Sequence, residues 1–60
     1  MNLHYLKQFC IDKSAEFPKL KSEILDFFFL AKEEIEDGES ESHEVELAIS
    51  SINELIKENQ

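Results

Sequence analysis

Apolar residues recur at the helical period along most of the chain. Leu20, Ile24, Phe27, Phe28, Ala31 and Ile35 fall at i, i+4, i+7, i+8, i+11 and i+15, a stripe about 100° wide that one face of an α-helix buries. Pro18 stands where such a helix would begin and Gly38 where it would end. Proline is tolerated in a first turn because its missing N–H would be unpaired there, and glycine takes the left-handed conformation that closes a last turn. A helix is therefore predicted over about 18–37. Beyond Gly38, Ser40 and Ser42 offer hydroxyls that can cap free N–H groups. Val45, Ala48, Ile49, Ile52, Leu55 and Ile56 then trace a second stripe, predicting a helix over about 41–58. A connection this short folds two long helices back on each other as an antiparallel hairpin.

The first segment carries the same pattern more loosely. Leu3, Leu6 and Cys10 share a line, with Tyr5 and Phe9 on its flank, and a shorter helix is predicted over about 3–15. The residue before a proline avoids the helical region, so Phe17 should be the turn. The fold class is all-α, a single helical domain over 1–60 built as short helix, long helix, long helix.

Some apolar residues fall outside these stripes. Leu25 and Phe29 lie on the far side of the second helix from the Leu20–Ile35 line, Leu30 lies off both, and Leu47 and Ile11 leave the stripes of their own helices. Three consecutive phenylalanines, Phe27 to Phe29, cannot all face one neighbour. The expected protein interface is Leu25, Phe28, Phe29, Leu30 and Leu47, with Phe29 outside the hairpin. A homo-oligomer, most simply a symmetric dimer with a four- or six-helix core, would cover such residues. The alternative is a self-sufficient three-helix bundle.

Charge sharpens this picture. Fourteen acids against six lysines give −8, and Glu33 to Glu46 holds eight acids and no lysine, so the rest of the chain is neutral and one tip is strongly acidic. That tip repels DNA and RNA, and no arginine is present to grip bases or phosphates. Direct nucleic-acid binding is not expected. Glu33, Glu36, Asp37, Glu39, Glu41 and Glu44 form instead a candidate surface for a basic partner, by steering or by mimicry of DNA phosphates. A solvated, solubilising loop is the plainer reading of the same residues.

Candidate chemistry is sparse. With Gly38 as the sixth position of a calcium loop, Glu33 falls at the first but Ile35 at the third, where an oxygen ligand is needed. His43-Glu44 begins like a zinc-protease motif, but Leu47 stands where the second histidine belongs, and Ser40 breaks a Glu-x-x-His pattern. Cys10 and His4 are nearly two turns apart on a helix, too far for a nucleophile and its base. One glycine cannot build a phosphate loop. No enzyme activity, metal or cofactor is expected. The longest apolar run, Phe27 to Ala31, falls far short of the roughly 20 residues that span a bilayer, so no membrane association is expected. The N-terminus has no basic start and apolar run of a secretory signal, and a lone Cys10 fits a reducing compartment; a cytoplasmic location is expected.

The stretch Glu36-Asp37-Gly38-Glu39-Ser40-Glu41-Ser42-His43-Glu44, leading into Val45-Glu46-Leu47-Ala48, resembles small acidic accessory proteins of lambdoid temperate phages, encoded among the early genes between excisionase and exonuclease. The resemblance covers residues 34–56. It implies an early-expressed, non-enzymatic, self-associating helical protein that influences host cell-cycle or lysis–lysogeny decisions. The expected function is thus a small regulatory protein–protein interaction module acting on a host or phage protein. The alternatives are an acidic DNA-mimic inhibitor of a nucleic-acid-binding protein and a purely structural oligomerisation unit.

Overall fold

The computed structural model describes residues 1–60. Three α-helices follow one another: α1, Leu3–Glu16; α2, Lys21–Glu36; and α3, Glu41–Glu58. No strand is present. The three helices and the α2–α3 hairpin follow the apolar periodicity, but their lengths of 14, 16 and 18 residues rise evenly, because α2 begins later than expected.

Each boundary has a local cause. Asn2 caps α1, its side-chain oxygen accepting from the Tyr5 N–H at 2.9 Å, which satisfies one of the donors a first turn leaves open. Phe17 takes φ −128° and ψ 71°, leaving the helical region as its proline neighbour requires. Residues Pro18–Leu20 form a single 3₁₀ turn, closed by Leu20 N–H to Phe17 C=O at 2.9 Å. The α-helix proper therefore starts at Lys21, three residues later than the proline suggests. At its other end α2 stops in a Schellman motif: Gly38 N–H bonds Ile35 C=O and Glu39 N–H bonds Glu34 C=O, each at 3.0 Å. The motif needs one left-handed residue, and Gly38 supplies it at φ +103°. Ser40 then caps α3, its hydroxyl accepting from the His43 N–H at 3.3 Å.

The core is small. Eight apolar residues are buried: Leu6 and Cys10 from α1, Ile24 and Ala31 from α2, and Val45, Ala48, Ile52 and Ile56 from α3. Helix α3 supplies half of them because its stripe faces both other helices. Leu20, Phe27, Phe28, Ile49 and Leu55 are half-buried against this centre, as the two long stripes predict. The bundle measures 34 × 18 × 17 Å, so its long axis is little more than the length of α3, about 27 Å at 1.5 Å per residue.

Helix α1 puts little bulk into the core. Its buried residues are Leu6, Cys10 and Ser14, and the Ser14 hydroxyl is buried without a hydrogen-bond partner. Helix α1 therefore contributes one large aliphatic side chain to the core. A second tie reaches across the bundle end, where the Glu41 carboxylate accepts from the Leu3 N–H at 2.7 Å. No helix is long and apolar enough to cross a membrane.

Candidate interaction surface

The α1–α2 seam is not closed on its outer side. An open groove of about 510 Å³ runs along it, its apolar lining Leu3, Cys10, Ile11, Leu25, Phe28 and Phe29. A second hollow of about 440 Å³ shares Ile11 and Leu25 with the first and continues toward Pro18. Together they form one trough along the length of α1. Phe28 and Phe29 meet edge to face, with centroids 5.5 Å apart and rings at 72°. This arrangement suits the ring quadrupoles and sets Phe29 against its half-buried neighbour.

The five expected interface residues separate into two groups. Leu25 and Phe28 are half-buried and packed against the core, because α1 lies over that flank of α2. They are the floor of the groove and not a free face. Phe29 is 58% exposed and Leu30 55%; Phe29 stands at the groove edge, while Leu30 lies outside both hollows. Leu47 is half-exposed on α3, also outside the groove. Ile11 joins Phe29 as an exposed apolar side chain of the groove.

The charged rim was missed by sequence reasoning. Lys7 and Lys32 line the first hollow with His4, and Lys21 lines the second. No acid lines either one, in a chain with fourteen acids and six lysines. A signal was present in the sequence: Lys21, Leu25, Phe28 and Lys32 fall at i, i+4, i+7 and i+11, so one flank of α2 reads lysine, apolar, apolar, lysine. Its meaning depends on where α1 docks, which the pattern of α2 does not contain.

The acidic candidates lie at the opposite character of surface. Glu33, Glu36, Asp37 and Glu39 are exposed around the α2–α3 connection, and Glu44 is half-buried. None has a lysine partner; the one ion pair in the protein is Lys13–Glu16 at 3.6 Å. Glu33, Glu34 and Glu36 sit at the C-terminal end of α2, where the helix dipole disfavours negative charge. Glu41 and Glu44 sit in the first turn of α3, where it favours it. Glu41 has a structural task besides, since it holds the Leu3 N–H. Glu41→Gln is expected to lower stability by about 1 kcal/mol by weakening a charge-assisted bond, measured by urea unfolding. Equal loss from Glu39→Gln, which makes no such bond, would contradict this assignment.

Cys10 faces the Ile24 carbonyl across the α1–α2 seam, Sγ to O 4.0 Å. Burial pushes its thiol pKa up from 9.0 to about 11, because a thiolate is costly away from water. A nucleophilic cysteine requires the reverse shift. Since the folded pKa is raised, the unfolded chain loses its proton first as pH rises. Stability linked to Cys10 is thus complete below about pH 9 and falls between about pH 9 and 11. Cys10→Ala is expected to flatten that alkaline slope in unfolding experiments; a slope unchanged by the substitution would refute the linkage. No three His, Cys, Asp or Glu side chains converge to hold a metal ion.

Compared with protein-family models, curated proteins and solved structures, the chain matches none.

Proposed function

We propose that this protein is a small non-enzymatic interaction module that works by presenting the outer face of α2 to another protein, in a regulatory role. The observation that carries this reading is the α1–α2 groove: an apolar trough edged by Phe29 and Ile11, both about half exposed or more. A core of eight residues leaves little stability to spare, and placing a large aromatic side chain in water contributes nothing to it. Burial against a partner gives Phe29 a role. The one candidate nucleophile, Cys10, is buried and held protonated, which fits binding better than catalysis. The likeness of residues 34–56 to phage accessory proteins is consistent with a regulatory task on a host or phage protein in the cytoplasm.

Self-association is a second reading, favoured by Leu30 and Leu47, which are exposed on the two long helices outside the groove. A dimer formed there would leave the groove free. The acidic tip would then serve solubility and steering, with occupation of a basic DNA-binding site as its sharper alternative.

Both forms of the module are tested by one experiment. The chain is cross-linked in the cells that make it, sized under denaturing conditions and detected with an antibody raised against it. Wild type is expected above its 7.0 kDa mass, with Phe29→Glu returning it there if the groove is the contact and Leu30→Glu with Leu47→Glu doing so if the dimer is. A wild-type chain found only at 7.0 kDa would overturn the reading.

A further inference from the structure

We infer that the α1–α2 groove takes an acidic amphipathic helix from a different protein. The inference rests on the interaction reading above and specifies the partner.

Charge selects the chemistry. Three of the six lysines in the chain, Lys7, Lys21 and Lys32, line the trough, and none of its fourteen acids does. A protein of net charge −8 has thus gathered positive charge around its one long apolar depression. An occupant must bring apolar side chains for the floor and carboxylates for the rim. Leu3 to Pro18 along α1 spans about 22 Å at 1.5 Å per residue, which a partner helix of about 15 residues would match. Seated there, it would pack on α1 and α2 as the fourth helix of a bundle, covering Phe29 and Ile11.

A second copy of this chain does not fit the same trough. Two grooves face to face would set the three lysines of one copy against the same three of the other. Outside the groove, α2 and α3 each expose one large apolar side chain, Leu30 and Leu47, and one leucine is not the stripe of apolar residues that a 22 Å trough must be filled with. The partner is foreign, and it is acidic.

The test uses fluorescence anisotropy on the full chain with three labelled synthetic peptides of about 18 residues. The first carries leucine at i, i+4, i+7 and i+11 with glutamates flanking the stripe; the second replaces each glutamate with lysine; the third scrambles the first. Net charge alone would make this chain prefer the lysine peptide. The groove predicts the opposite: saturable binding of the glutamate peptide, weaker by about tenfold or more for the lysine and scrambled ones. Binding should weaken several-fold between about 50 and 300 mM salt. The triple variant Lys7→Glu/Lys21→Glu/Lys32→Glu should reverse the preference, and Phe29→Glu should lose binding with its circular dichroism unchanged. Preference of the wild type for the lysine peptide, or a triple variant with unaltered preference, overturns the proposal. If no peptide binds while the cross-linked chain still runs above its own mass in a Phe29-dependent way, the partner class is wrong and the interaction module stands. If both results fail, both readings fall.

Discussion

Leu6→Ala is expected to unfold most of the chain under conditions where the wild type is folded. Truncating a fully buried leucine costs about 2–5 kcal/mol, from the lost transfer energy and from the cavity left behind. Leu6 has no exposed surface, and it is the one large aliphatic side chain that α1 buries completely, so its truncation removes the centre of the contact between α1 and the core. A core of this size supplies only a few kcal/mol in total, and the loss therefore rivals the whole. Circular dichroism should show reduced helicity and no cooperative thermal transition. Leu6→Met, which keeps the volume, should stay within about 1.5 kcal/mol of the wild type. A Leu6→Ala chain that melts within about 1 kcal/mol of the wild type would mean that α1 is held by the Leu25–Phe28 flank.

The second large effect separates binding from folding. Phe29→Glu places a charge where the side chain is already 58% in water, so stability should change by no more than about 0.5 kcal/mol. The same substitution puts a carboxylate at the edge of an apolar, lysine-rimmed trough. Large aromatic anchors of an interface are worth about 2 kcal/mol or more when removed, and the new carboxylate would repel the glutamates of an acidic partner. Partner binding is therefore expected to fall by about thirtyfold or more. A Phe29→Glu chain that loses helicity would show that the residue supports the fold, and the account of the groove would need another anchor.

Much of the architecture is written in the apolar spacing. The two long stripes, Leu20–Ile35 and Val45–Ile56, return as half-buried or buried faces, and Gly38 closes α2 in the left-handed conformation that its position suggests. The Schellman turn is bare in one respect. The residues that usually make an apolar contact across it are here Glu34 and Glu39, so glycine and backbone bonds close the helix alone, with acids crowding its negative end. Pro18 was less exact a signal, because a proline can open a 3₁₀ turn as readily as the α-helix beyond it.

The candidate surface was only partly legible. Periodicity separates Phe29 and Leu30 from the hairpin core, and both are exposed. It does not say which flank α1 covers, because α1 has the weakest pattern of the three helices: its buried line, Leu6, Cys10 and Ser14, advances by four residues each time and drifts about 40° per step. That drift carries α1 across the Leu25–Phe28 flank, so those two residues lie half-buried in the groove. For the same reason the lysine rim emerges only in three dimensions, from Lys7 on one helix and Lys21 and Lys32 on another. The Glu41–Leu3 bond is likewise a contact between residues 38 apart in the chain, for which local spacing carries no signal.

The central claim is that the outer face of α2 is covered by another protein. Photo-cross-linking tests it most directly, with p-benzoylphenylalanine in place of Phe29 in one chain and of Ser50, exposed on α3, in another. On irradiation in cells that make the protein, position 29 is expected to yield one discrete adduct of defined mass and position 50 none. No adduct from position 29, or the same adducts from both positions, would contradict the account.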